Sequence, residues 1–472
     1  MKTCAKNRKY WSLLVIYLLL NSKRSTAFDF LQGVAPFEAP NPGDFARHLV
    51  DEMAWESLLE MDRRGLQKKE VPQSPWSGWY WPLRNAGIAY RYRDPKFPLN
   101  APWSQVRKYL TSTLGKTPMA LLSPAEKYDL LMNDSNFTLT RAMLAWGDRV
   151  AVQDRIEEWN GFCTGWANSA MMMPRPTQSV SVLAADGRTL IAFLPDDLKA
   201  LAALLWSTGA YAFRSSGTLC GENPVARDPT TGRALNPACR DTNPGTFHLA
   251  LVNQIGHGQR SLLIDSDPGY EVWNQPLRSY TYTYFHPKTL QPGDYASSLI
   301  RRTEWEDDPL KASRANGTHA IIGIKMSVTF IYEKEPNALG RRDAEPKETT
   351  GDEIRTPEYS YELELSSQNR ILGGEWKTSL HPDLLWVAQK DSFPITRGDR
   401  LINEAHPQVQ WTTGTALPRE WRESSLESAR LAQPLGRIVA RLFDWAQASP
   451  LQPTPSVRPE VFISSNAVPD PF

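Results

Sequence analysis

Cys163 heads the segment Trp159-Asn-Gly-Phe-Cys-Thr-Gly-Trp-Ala-Asn-Ser-Ala170, where a glycine-containing loop runs into a helix-compatible stretch. Backbone N–H groups at a helix start favour an anion, so they lower a thiol's pKa and can also receive an oxyanion. A thiolate nucleophile further needs an acid/base near it in space and a carboxylate to orient that base. His248 follows in Phe247-His-Leu-Ala-Leu-Val-Asn253, and Asp265 and Asp267 come after it. The runs Phe247–Asn253 and Ser261–Asp265 flank Gly256-His-Gly258 and read as a β-hairpin. In that register His248 faces Asp265 or, with the turn centre moved by one residue, Asp267. Both acids fall on the same face, so alternation does not choose between them. The bland counterpart is a buried structural thiol and a satisfied strand histidine.

The elements that must hold these residues are readable in outline. Apolar residues recur at helical spacing over Asp44–Leu59, which predicts an amphipathic helix. Ser74-Pro-Trp-Ser-Gly-Trp-Tyr-Trp-Pro82 is turn-rich and aromatic, a structured loop over a core. Ser123-Pro-Ala-Glu126 supplies an N-cap, a proline at the first helical position and a capping box for a helix to Leu131. A further helix ends before the Cys163 loop, another runs from Cys163 towards Pro174, and Pro195–Trp206 forms one more. From about residue 247 the pattern turns to strands, including Tyr280–Phe285, Ala320–Tyr332 and Tyr359–Leu365. Residues 333–357 read as a solvated charged loop, and the chain after Ser449 as a proline-rich strap or disordered end. The expected division is a leader over 1–27, a helical and aromatic region over 28–150 and a catalytic core over 151–295. A β-rich region over 296–435 and a C-terminal helix with its tail over 436–472 complete it.

Composition narrows the function. Lys and Arg number 53 against 52 Asp and Glu, a net charge of +1, which argues against nucleic acid or an anionic membrane surface as the main partner. Lys2, Lys6, Arg8 and Lys9 precede the apolar run Trp11–Leu20, and Ser25-Thr-Ala27 offers small residues for cleavage. That is a secretory signal, and the run is too short to cross a bilayer, which takes about 20 residues. The mature chain is therefore expected to be secreted or periplasmic, with no stable membrane insertion. Cys4 leaves with the signal. Cys220 and Cys239 bracket a proline- and glycine-rich loop whose closure by a disulfide is worth about 3 kcal/mol in the chain-entropy model. Cys163 is then the cysteine left over from the pair, either buried or reactive.

Cys-Thr-Gly-Trp-Ala at 163–167, Asp-Thr-Asn-Pro-Gly-Thr-Phe-His-Leu-Ala-Leu at 241–251 and Tyr-Glu-Val-Trp-Asn-Gln-Pro-Leu-Arg-Ser-Tyr at 270–280 carry a resemblance. Across roughly residues 75–390 the chain resembles the oomycete transglutaminase elicitors and their bacterial relatives. Val272–Arg278 is similar to the surface peptide by which plants detect the oomycete members, with Leu277 and Ser279 where that peptide has Val and Gly. The resemblance implies an α+β fold with a papain-like or transglutaminase-like core, in which a nucleophile helix packs on an antiparallel sheet. It implies a Cys-His-Asp triad of Cys163 as nucleophile, His248 as acid/base and Asp265 as orienting carboxylate. The implied reaction transfers glutamine side chains of a protein or peptide to lysine or another primary amine. The sequence requires no cofactor; calcium enters only through the resemblance, since Glu304, Glu306, Asp307 and Asp308 cluster without an EF-hand pattern. Two other functions share these residues: a papain-like peptidase or amidase, and a non-catalytic binding protein on the same fold. The sequons at Asn133, Asn136 and Asn316 matter only where exported proteins are glycosylated.

Overall fold

The computed structural model describes residues 44–447 except 219, 221, 223, 268, 339, 341, 344–350 and 379. The expected signal, Cys4 and the proline-rich tail lie outside the described residues. The chain divides into two compact units, one made of Met1–Pro72, Ala212–Tyr332 and Ile354–Ser392, the other of Gln73–Tyr211, Glu333–Glu353 and Phe393–Phe472. Helices and antiparallel strands are mixed along the sequence.

The first unit is built on a sheet. Its strands run, in spatial order, Ile371–Trp376, Glu358–Leu365, Ala320–Tyr332, Asn274–Phe285, Leu263–Asp265, Leu384–Ala388 and Phe213–Gly217, and neighbours pair antiparallel. Period-two alternation sends Ile322, Ile324, Met326 and Val328 to one face, joined there by Tyr280, Tyr282, Tyr361 and Leu363. The helix Pro244–Leu251 lays Phe247, Ala250 and Leu251 on that face. Ile321, from the alternate set, packs with Ile300 and Trp305 instead. Each such side chain contributes about 1.5–3 kcal/mol when fully buried. The long strands expected over 280–285, 320–332 and 359–365 are present, the first starting earlier, at Asn274.

The expected helix over Asp44–Leu59 is broken. Only Ala46–Leu49 and Leu58–Arg63 are helical. Side chains from elsewhere take the backbone donors that would have continued it. Gln254 accepts from the Asp51 N–H at 2.9 Å, and Asn253 from the Trp55 N–H at 2.8 Å. Tertiary partners thus outcompete the local pattern. The acids at 304–308 also part company: Asp307 pairs with Lys288 at the surface, while Asp308 joins the buried guanidinium of Arg314. Arg314 further meets Glu362 at 2.6 Å and Glu364 at 3.4 Å, two carboxylates on one face of their strand.

The second unit is mainly helical. Ser123 and Glu126 form the expected capping box of the helix Pro124–Leu131, and Glu126 also receives two hydrogen bonds from the buried Arg91. Asp129 accepts from the Leu139 and Thr140 N–H groups, capping the helix Thr138–Val150. The helix Cys163–Met172 packs on Pro195–Thr208, and Gly165 is the contact point. A Cβ at Gly165 would lie 1.9 Å from the Ala203 carbonyl oxygen and 2.2 Å from Ser207 Oγ. Residues 333–357 are not wholly solvated. Asp352 is buried against Arg175 and accepts from the Ser77 N–H, and Asp343 meets Lys199 at 2.6 Å.

Gly165→Ala must push two helices apart against backbone atoms, which costs about 3 kcal/mol. A lowered melting temperature of the full chain, with faster alkylation of the loosened Cys163, is the expected outcome. An unchanged melting curve would contradict this packing.

Candidate active site

Cys163 opens its helix, is 6% exposed and forms no disulfide among the described residues. The aromatic loop 76–81 fixes the residue before it. Phe162 donates its N–H to the Tyr80 carbonyl at 2.5 Å, Leu83 N–H reaches the Asn160 carbonyl at 2.8 Å, and Trp76, Trp79, Tyr80 and Trp81 are all buried. Gly161 sits so close that a Cβ would lie 2.5 Å from the Tyr80 carbonyl oxygen. The helix itself starts with Trp166 N–H bonding to the Phe162 carbonyl, so the N–H groups of Cys163, Thr164 and Gly165 precede its first internal bond. Trp166 is fully buried, a core residue.

His248 and Asp265 belong to the other unit, and the expected hairpin is not formed. Phe247–Leu251 lies in the helix Pro244–Leu251, continued by a wider π-helical turn over Val252–His257. The sequence carries the reason. Asn243 caps the helix by accepting from the Gly245 N–H at 2.8 Å, and Pro244 occupies the first helical position. An apolar run this short fits a buried helix as well as a strand. Gly245 sets the packing, since a Cβ there would meet the backbone of Gly373 at 2.8 Å.

The histidine on that helix faces the core. His248 is fully buried, its Nδ1 is 2.9 Å from the Tyr361 hydroxyl, and its ring contacts Tyr282 edge-on at 4.8 Å. Burial pushes its pKa down to about 3. Asp265 closes the strand Leu263–Asp265, is fully buried, and accepts from the Trp273 N–H at 2.8 Å and the Asp267 N–H at 3.3 Å. The two expected partners therefore have different neighbours. Asp267 serves the following turn, accepting from the Gly269 N–H. In the segment Val272–Arg278, Asn274, Gln275 and Leu277 are fully buried in a strand, unlike the surface peptide the resemblance implies. The expected disulfide Cys220–Cys239 is present.

A second histidine, not singled out by pattern, lies among acids in the same unit. His381 Nδ1 is 3.2 Å from Asp241 Oδ2, and its ring lies flat on Trp376 at 4.7 Å, 2° from parallel. Trp376 is fixed in turn by its indole N–H to the Thr242 carbonyl, and the Thr242 hydroxyl donates to the Asp383 carbonyl. Gly217, at φ +95°, lets the strand end approach this corner; a Cβ there would fall 2.0 Å from the Asp383 carbonyl oxygen. Asp383 is fully buried, and neither carboxylate oxygen has a hydrogen-bond partner among the described residues; the same holds for Asp265 Oδ2. Burial raises Asp241 to about 7 and Asp265 to about 7, and it raises Asp383 to about 10, with Asp265 and Asp241 adding repulsion. The sequence signal was slight: His381-Pro-Asp383 close after Trp376, and an Asp241 that occurs in the Asp-Thr-Asn-Pro-Gly stretch.

Asp383 ionises above its ordinary value of 3.8, so its burial carries no ionisation-linked cost in acid, and that cost grows as pH rises from about 4 to about 10. Asp383→Asn stays neutral throughout. Its melting temperature relative to the parent should rise between pH 5 and pH 9, each taken as a round value inside that window. A difference that does not change with pH would contradict the unpaired state of this carboxyl.

The family model described as "Transglutaminase elicitor" matches residues 148–396, a little over half of the chain. Among solved structures the chain is similar to the GP42 transglutaminase from Phytophthora sojae, at 20% sequence identity and a TM-score of 0.46, covering 77% of this chain and 91% of that one. No curated protein matches. The match spans the Cys163 helix, the 241–251 and 270–280 segments and the strand beyond His381; the chain belongs to the transglutaminase elicitor family.

Proposed function

We propose that the chain is an exported protein-glutamine γ-glutamyltransferase with Cys163 as its nucleophile. Membership of the family, with a cysteine outside the disulfide at the first turn of its helix, carries the reading. The Cys163 thiolate attacks the carbon of a glutamine carboxamide, and N–H groups at the helix start receive the oxyanion. The C–N bond breaks as the leaving nitrogen takes a proton, and ammonia departs. The amine then attacks the thioester, losing a proton to the base while the thiolate is expelled. The resemblance gives the proton-transfer role to His248 and its orientation to Asp265. Substrates are proteins or peptides bearing glutamine and lysine or another primary amine; calcium remains a family expectation. Export is supported by the charged and apolar leader of the sequence and by the Cys220–Cys239 disulfide, a bond of oxidising compartments. No helix among the described residues is long and apolar enough to cross a membrane.

The test is incorporation of a labelled primary amine into a glutamine-rich protein by the chain without its leader, with and without calcium, beside Cys163→Ser. Incorporation abolished by the substitution, a loss of at least about 10³-fold, is expected. Cys163-dependent proteolysis or ammonia release without incorporation would move the chain to the peptidase or amidase class.

A further inference from the structure

We propose that Asp352 is a positioning residue for Cys163, acting through the aromatic loop 76–81, which lies as a splint along the nucleophile helix. It rests on the reading of Cys163 as the nucleophile, and every residue involved belongs to the second unit. Three contacts lay the loop against the helix Cys163–Met172 from end to start. The Trp76 indole N–H donates to the Met173 carbonyl at 3.1 Å, just past the last turn. Gly78 presses on the side of the helix, where an added Cβ would lie 2.5 Å from the indole nitrogen of Trp166. At the start, the Tyr80 carbonyl takes the N–H of Phe162, the residue before the thiol. A shift of the loop is therefore a shift of the helix start, and the N–H groups that face a thiolate or an oxyanion move with it.

The loop needs an anchor of its own, because residues 76–81 belong to no helix or strand. Ser77 provides it. Asp352 Oδ1 accepts the Ser77 N–H at 2.9 Å, Lys199 Nζ donates to the Ser77 carbonyl at 2.7 Å, and the Ser77 hydroxyl accepts the Glu353 N–H at 2.9 Å. The next carbonyl, that of Gly78, accepts the Lys334 N–H at 2.8 Å. Lys334 on one side and Asp352 with Glu353 on the other thus close on adjacent residues of the loop. Asp352 has a second attachment. Its side chain is 1% exposed, and its other oxygen pairs with Arg175, which follows the end of the nucleophile helix and is itself 4% exposed. One buried carboxylate therefore ties the loop to the chain that leaves this helix, with the strength of a charge-assisted bond at each oxygen. Lys199 completes the anchor from the helix Pro195–Thr208. Its Nζ lies 5.4 Å from the centre of the Trp76 ring and meets Asp343 at 2.6 Å, and Asp343 stands 3.5 Å from Arg175. The charged segment after Tyr332 is folded down by these pairs, and its acids are spent on holding the splint.

The experiment measures melting temperature, the pH midpoint of Cys163 alkylation by iodoacetamide, and kcat and KM for amine incorporation. It compares the parent chain with Asp352→Ala, Asp352→Asn, Ser77→Ala and, as a control, Asp399→Asn. Asp399 is a buried acid of the same unit that accepts from the Thr396, Gly436 and Arg437 N–H groups, away from the loop and the nucleophile helix. Asp352→Ala is expected to raise the alkylation midpoint and to lower kcat by about 10–10²-fold with KM within about two-fold, the pattern of displaced reacting groups. Asp352→Asn keeps an oxygen for the Ser77 N–H and should lie between parent and Asp352→Ala. Ser77→Ala, which loses the Glu353 tie, should raise the midpoint by a smaller amount. Asp399→Asn should lower the melting temperature and leave the midpoint in place. An unmoved midpoint in Asp352→Ala overturns the proposal, and so does an equal shift in Asp399→Asn, which makes the effect one of general stability. Where Asp352→Ala does not fold, unmoved midpoints in both Asp352→Asn and Ser77→Ala overturn it. A parent chain that alkylates at Cys163 and incorporates no amine overturns the acyl-transfer reading alone, because the midpoints still decide what positions the thiol.

Discussion

The backbone contact at Gly165 is the constraint on which the nucleophile depends. Two apolar helices can touch main chain to main chain only where one of them has no side chain, and Gly165 provides that opening against Ala203 and Ser207. The contact fixes the helix axis, and the aromatic loop fixes its start through the Tyr80 carbonyl. Cys163 therefore sits at a helix terminus held from two directions. Its burial follows from the same arrangement: a close-packed helix start leaves little room around the first residue.

The other unit spends its stability differently. Asp241, Asp265 and Asp383 are all buried and raised, and Asp383 has no counter-charge in contact with it among the described residues. Contrast Arg314, whose buried guanidinium meets the carboxylates of Asp308, Glu362 and Glu364 within 3.4 Å. Buried acids thus face a guanidinium at one place and one another at the other. Perturbed acids beside a histidine are a common mark of functional sites. Structural networks perturb acids too, as around Arg314.

Much of this was legible in the sequence, for reasons that differ by element. The helix at Pro124 carried its cap, its proline and its capping glutamate within four residues, and the strands over 320–332 and 359–365 alternated clearly. The Cys163 helix was signalled by a glycine loop running into small and apolar residues. The segment around His248 was misread because Asn243-Pro244 serves equally as a turn and as a helix opening, and the apolar run after it has no period of its own. The broken helix at 50–57 was invisible because the competing acceptors, Asn253 and Gln254, lie far along the chain. His381 was missed for the same reason: its carboxylate is Asp241, which only the fold brings near.

The central claim is that Cys163 carries the acyl group. It is tested most directly by incubating the chain with a glutamine-containing peptide and no amine, then quenching in acid and measuring intact and peptide masses. An adduct of the peptide less ammonia, located on Cys163 and released by hydroxylamine, is the predicted result. Amine incorporation by a chain that never forms an adduct on Cys163, or forms one on another residue, would contradict the account.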